Sequence, residues 1–260
     1  MKMGWMTGGA LVLVLMGCGG PEDAAWDAEL AEGTADEALQ GGAATSGYAA
    51  VGLVVTTDGS TCTGTLVTPR VVLTAAHCAA TRVEAFYTGA GAAVSADEGD
   101  LSEALDRMAR HAVRRQAAHP EYDDTTCGGS PDVALLWLGR PVTGTRAVRL
   151  SSDDEVLPGA LCTAVGFGLH GRGGSATYAR KRSGREQVVA LSDDSLWVRY
   201  RTAVADHGDS GGPLLCSGRI AGVVSCGDER TPRNRVITYA RPQAVRAWMA
   251  STIRAWTAAP

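Results

Sequence analysis

The sequence predicts an all-β fold, and three observations predict it. After Gly41 the chain breaks into short apolar runs divided by turn residues, at near-regular spacing. Glycine is abundant at 33 residues while phenylalanine occurs twice, a composition of many turns and small-residue packing. Only two segments carry helical spacing, so strands must organise the core. With 260 residues, 45% of them apolar and 20% charged, the chain can fill one large or two small cores. Short strands so arranged close into sandwiches or barrels.

The N-terminus reads as an address. Lys2 precedes the apolar run Ala10–Met16, too short to span a bilayer and suited to the core of a signal peptide. Its end, Leu15-Met16-Gly17-Cys18, resembles the bacterial lipobox, which would place a diacylated Cys18 at the mature terminus and hold the protein to a membrane surface. The plainer alternative is an ordinary export signal cut nearby. Residues 19–38 are acidic and alanine-rich, a tether or pro-segment with too little apolar surface to order itself.

From there the runs follow in order. Val51–Val55 stops at the hairpin-like Thr57-Asp58-Gly59-Ser60, and Thr65–Val67 and Val71–Leu73 flank the turn Thr68-Pro69-Arg70. Val133–Leu138, Leu161–Val165, Leu196–Tyr200 and Ile220–Val224 are further strand candidates. A short surface helix is expected over Leu101–Arg110. A C-terminal helix is expected to open at Pro242 and run to Thr257, with Val245, Trp248, Met249 and Ile253 on one face.

A net charge of −4 without a basic stripe speaks against nucleic acid as a partner. Seven cysteines, none in a CxxC pair, point to an oxidising compartment rather than to zinc. His111, His119, His170 and His207 show no metal-ligand spacing and read as solvated or capping residues, with His207 placed to touch substrate. The acidic stretch Asp97–Asp100 reads as a surface loop.

Three separated segments carry chemistry: Thr74-Ala75-Ala76-His77-Cys78, Pro131-Asp132-Val133 and Gly208-Asp209-Ser210-Gly211-Gly212-Pro213. A serine hydroxyl becomes a nucleophile when an imidazole takes its proton, and the imidazole needs a carboxylate to fix its tautomer. His77, Asp132 and Ser210 supply those groups. The glycine-rich turn lets the Gly208 and Ser210 N–H groups converge as an oxyanion hole. Each motif alone could be a bland loop or cap; the three together in an exported chain are not.

These segments resemble the signature motifs of the chymotrypsin/trypsin family, in its chain order of His, Asp, Ser, and the similarity extends from about Leu39 to Trp256. The resemblance implies two antiparallel six-stranded Greek-key barrels, the first over about 39–148 and the second over about 149–241, followed by the C-terminal helix over about 242–257. It implies a serine endopeptidase domain over 39–260, with no cofactor and no metal. Its partners would be protein or peptide substrates, an activating protease and protein inhibitors. Silent homologues that serve as binding modules, and esterases on the same machinery, are the rival classes.

Further implications attach to single residues. Leu39-Gln40-Gly41-Gly42 resembles the family's activation site, with Leu39 where Ile or Val is usual and 38 residues before His77. Cleavage after Ala38 would free an α-amino group to pair with Asp209. The alignment pairs Cys62 with Cys78 and Cys162 with Cys216. Cys127 and Cys226 are left, the latter where the family usually has Trp, so a Cys127–Cys226 bridge would replace an aromatic contact; two free thiols are the alternative. Asp206 stands where the family usually has a cysteine. Ser225 matches the serine that bonds the catalytic carboxylate. Val204 falls at the base of the specificity pocket and Ile237 on its wall, while Gly227 leaves the opposite wall open. An apolar floor cannot pair a buried Lys or Arg charge, so small or medium apolar side chains are expected before the scissile bond. The basic run Arg172–Arg185 maps to an exposed loop.

Overall fold

The structure, a computed structural model, describes Met1 and residues 39–258 except 98, 172 and 229–233. The signal-like run, Cys18 and the acidic segment lie outside the described residues.

Strand β1 is Ala43–Ala44, and a first closed barrel follows from β2 (Val51–Thr56), β3 (Thr61–Thr68), β4 (Val71–Thr74), β5 (Val83–Thr88), β7 (Ala109–Ala118) and β8 (Ala134–Leu138). Its strands are antiparallel in the order β2-β3-β4-β8-β7-β5. The turns form where polar side chains can close them. Asp58 accepts from Thr56 Oγ1 at 2.5 Å and from the Ser60 amide at 3.0 Å around Gly59. Arg70, after Pro69, donates to the Leu138 and Gly139 carbonyls and lies over the Trp137 ring.

The second barrel uses β9 (Leu161–Gly166), β11 (Arg182–Leu191), β12 (Ser195–Tyr200), β13 (Pro213–Cys216), β14 (Arg219–Gly227) and β15 (Val236–Ala240). The order β11-β12-β15-β14-β13-β9 closes because β11 also pairs with β9. Two short strands, β6 (Gly91–Ser95) and β10 (Thr177–Arg180), pair outside the barrels. The fold is therefore two six-stranded antiparallel barrels with a C-terminal helix. Helix α2 (Arg246–Ala258) sets Trp248 edge-on to His119 and Trp256 edge-on to Trp137, both of the first barrel, as helix α1 (Ser102–Asp106) packs beside β6 and β7.

Several expectations need correction. The first helix covers only Ser102–Asp106, and Arg110 lies in β7, because Ala109–Ala112 pair with Thr88–Ala85 in the barrel wall. Pro242–Val245 forms turns before the C-terminal helix begins at Arg246; the buried Gln243 amide is tied to Ser151 Oγ and the Ile220 carbonyl. The basic run is not an exposed loop. Thr177–Arg180 and Arg182 onward are strands, and Lys181 between them is 1% exposed. Its ammonium donates to the Gly47 and Tyr48 carbonyls and lies 5.6 Å from the Phe167 ring centre. His119 and His170 are buried rather than solvated, and His119 keeps the capping role, its Nδ1 accepting from the Glu121 amide at 3.3 Å. The segment expected to open the first barrel docks on the second, since β1 pairs with β11.

Candidate active site

Strand β4 ends in Thr74, and Ala75 and Ala76, both buried, deliver His77 to a single 3₁₀ turn at the barrel rim. On the other side of the rim, the loop before β8 presents Asp132. The Asp132 carboxylate accepts from the His77 backbone N–H at 3.0 Å, and its Oδ2 lies 2.7 Å from His77 Nδ1. Ser225 Oγ, from β14 of the second barrel, donates to the same Oδ2 at 2.7 Å. Burial pushes the Asp132 carboxyl up, but the bonds from His77 and Ser225 outweigh burial and hold it below the ordinary range. A carboxylate facing Nδ1 favours the tautomer with its proton there, which leaves Nε2 as an acceptor.

Ser210 arrives from the loop before β13. Its carbonyl accepts from the Thr63 amide at 2.8 Å, and the Gly211 amide donates to the Val224 carbonyl at 2.9 Å. Gly211 has φ +80°, and a Cβ there would stand 2.1 Å from Thr74 Oγ1 and 2.9 Å from the Ala75 amide. Only glycine lets the serine turn press this closely on the strand that ends in His77. Gly208 also has a positive φ, and among the described residues neither its amide nor that of Ser210 has a protein acceptor.

Beside Ser210 a cavity of about 410 Å³ opens between Ala205 and Asp206 on one side and Val224, Ser225 and Gly227 on the other, with Ile237 and Arg235 at its wall. Ile237 reaches Gly227 so closely that a Cβ there would meet its Cδ1 at 2.5 Å. Val204 is fully buried behind the lining, its amide bonded to the Gln40 carbonyl. Asp206 ties two neighbours together. Its Oδ2 lies 3.1 Å from Arg235 and its Oδ1 lies 2.8 Å from His207 Nδ1, with the His207 ring out in solvent.

Leu39 is 1% exposed within the second barrel's core, and a Cβ on Gly41 (φ +112°) would clash with the Thr202 carbonyl. Asp209 is fully buried. Its carboxylate accepts from the Gly168 amide at 2.8 Å and the Asp206 amide at 3.0 Å, with no cationic partner among the described residues. Burial pushes its pKa up to about 7.

The cysteines form three disulfides, Cys62–Cys78, Cys162–Cys216 and Cys127–Cys226. The last joins the loop before Asp132 to the residue after Ser225. These two cysteines are therefore not free thiols, and Cys127 is exposed while the other two bridges are buried. The one group of described side chains spaced to hold a metal, Cys62, His77 and Cys78, includes both sulfurs of a bridge. Arg235 and Glu186, a fully buried acid behind Ala205, escaped the sequence reading. Neither lies in a recognisable motif: Arg235 ends a polar run, and Glu186 follows four residues of mixed polarity.

A family model described as trypsin matches residues 39–249. Mast cell protease 3 of Ovis aries is 31% identical over 210 residues, 74% of this chain and 78% of that protein. The chymase of Papio hamadryas is 30% identical, with 78% of this chain and 83% of its own length covered. Cathepsin G of Homo sapiens is 30% identical, with 76% and 78% covered.

Proposed function

The chain belongs to the trypsin family of serine proteases, and from that premise we propose that it is an exported endopeptidase, made as an inactive precursor, with His77, Asp132 and Ser210 as its triad. The observation that carries this reading is the line from Ser225 Oγ through Asp132 to His77 Nδ1, beside a serine turn pressed against the histidine's own strand.

In this reading Ser210 Oγ attacks the substrate carbonyl carbon and passes its proton to His77 Nε2. Asp132 holds the imidazole and stabilises the imidazolium. Negative charge on the carbonyl oxygen is met by the Gly208 and Ser210 amides, whose loss in such sites removes several kcal/mol of stabilisation, about 3 kcal/mol per donor. Collapse of the adduct breaks the C–N bond, and His77 returns the proton to the leaving amine. Water then repeats the sequence on the acyl-enzyme and frees Ser210.

Cleavage after Ala38 would give Leu39 an α-amino group for Asp209, a buried carboxyl without a cation among the described residues. Ile237, pressed against Gly227, shortens the pocket and supports a preference for small or medium apolar residues before the cut bond. Three disulfides fit synthesis for an oxidising compartment, and Cys18 would carry a lipid anchor. A fluorophosphonate probe tests the core of the reading: it is expected to label Ser210 after activation and not in S210A. A folded, activated chain that takes no label would instead be a silent binding module. Radioactive fatty acid fed to the producing cells checks the anchor, with label expected on the mature protein and absent from C18S.

A further inference from the structure

Glu186 on β11 is 0% exposed, and the chemistry described above has no use for it. Its Oε1 accepts from the Ala205 amide at 2.9 Å, and its Oε2 accepts from the Tyr239 hydroxyl at 2.6 Å. No Lys, Arg or His pairs with it among the described residues. An isolated acid is costly to bury, so one that sits on two directed hydrogen bonds must be accounted for by what those bonds hold.

One partner lines the cavity beside Ser210, and the other stands on a strand that contributes to its wall. Ala205 lines it, and its carbonyl accepts from Arg235 at 3.3 Å. Tyr239 lies two residues beyond Ile237 on β15, the strand that brings Ile237 against Gly227. Ala205 is 19 residues from Glu186 and Tyr239 is 53 away, so one side chain fastens a loop to a strand far from it in sequence.

Resting on the endopeptidase reading, we propose that Glu186 is a positioning residue for the specificity pocket: its carboxyl fixes the Ala205 backbone and the Tyr239 ring, and so sets the wall against which the substrate side chain packs. It touches no substrate. Its effect belongs in KM, because the pocket wall moves while Ser210, His77 and the oxyanion amides stay where they are. A leucine of similar size would fill the space yet strand the buried Ala205 N–H and Tyr239 hydroxyl. Glutamine would keep an acceptor for the first and a polar partner for the second.

The same arrangement carries a pH dependence. The groups around Glu186 are Tyr239 on β15, Asp209 in the serine loop, Tyr200 opposite it on β12 and the disulfide-bonded Cys162 opposite it on β9. Burial, reinforced by Asp209, pushes the Glu186 pKa up to about 8, while its hydrogen bonds pull the other way. The carboxyl is therefore neutral at pH 7 and charges behind the pocket wall as the pH climbs past 8.

The test measures kcat and KM from pH 6 to 10 for the activated full chain, E186Q and E186L on a peptide ending in valine, with fluorophosphonate labelling in parallel. E186L is expected to raise KM about tenfold with kcat within about twofold, as two stranded polar groups imply. E186Q is expected to keep KM near the native value at pH 7 and to reduce the rise in KM above pH 8 to the part that loss of the Leu39 α-amino proton contributes. A native KM in folded E186L, or a loss confined to kcat, overturns the proposal. Should E186L fail to fold, E186Q decides: a KM that climbs with pH as in the native enzyme overturns it. A native chain that neither labels nor cuts sinks the endopeptidase reading and this inference together, whereas a native chain that labels beside unmoved variants sinks the inference alone.

Discussion

The two sides of the cleft each bury an aspartate, and their surroundings drive the two in opposite directions. On the first-barrel side Asp132 receives the His77 amide, the His77 ring and the Ser225 hydroxyl, and its pKa falls below the ordinary range despite burial. On the second-barrel side Asp209 receives two backbone amides and, among the described residues, no cation, and its pKa is pushed up to about 7. Glu186 shares that region and rises to about 8. Burial is common to all three. What differs is whether enough donors reach the carboxylate to offset lost hydration. The first side thus holds a carboxylate matched by donors, while the second holds acids that lack a positive partner among the described residues.

This contrast fixes the sign of each contribution to stability. Asp132 binds its proton more weakly when folded, so its contribution is present above the ordinary aspartate value of 3.8 and is lost as the pH falls through it. Asp209 and Glu186 bind theirs more tightly when folded. Their contributions are fully present below 3.8 and 4.5 and decline as the pH rises toward about 7 and 8.

The largest expected effect comes from breaking the prepared side. D132N keeps the shape of the carboxylate but supports the wrong imidazole tautomer, and kcat is expected to fall about 10⁴-fold, read on the activated enzyme with a chromogenic peptide. Cutting the covalent link between the two sides comes next. The double variant C127S/C226S releases a bridge that spans 99 residues and ends beside Ser225, and is expected to lose about 2–4 kcal/mol in urea unfolding. Its activity should fall with it, since Ser225 steadies Asp132.

The raised side is sharpened by removing its charge. In the uncleaved chain D209N cannot ionise, so its melting temperature is expected to exceed the native one by about 4 °C or more at pH 8 and to match it at pH 4. If cleavage after Ala38 activates the chain as proposed, the same variant would leave the new α-amino group without its carboxylate and activity should drop, so the two forms would respond oppositely. The smallest effect concerns pocket shape. I237G removes the side chain that meets Gly227, and the ratio of kcat/KM for Phe-ended over Val-ended peptides is expected to rise about tenfold, the scale of a changed apolar contact in a pocket.

Much of this site was legible because its chemistry lies in contiguous words. His77, Asp132 and Ser210 each sit in a short motif, and the strands that deliver them, β4, β8 and β13, are apolar enough to stand out. Strands β7 and β11 were harder. Ala109–Ala118 carries three arginines, and their long stems can lie along the barrel while their heads remain wet, so polarity hid a strand. Lys181 looked like part of a solvated run and is instead capped by two carbonyls from residues more than 130 positions away. Local composition cannot report a partner that distant.

By itself the sequence determined the order of the three motifs, the number of cysteines, the all-β class and the reagents of the reaction, because residue types and near neighbours are written along the chain. Only the tertiary structure decided the charge each acid carries and the wall each pocket presents. Ser225 comes to Asp132 across 93 residues, Gly168 to Asp209 across 41 and Tyr239 to Glu186 across 53. A carboxyl's charge depends on the donors within hydrogen-bond reach, and folding alone brings them there.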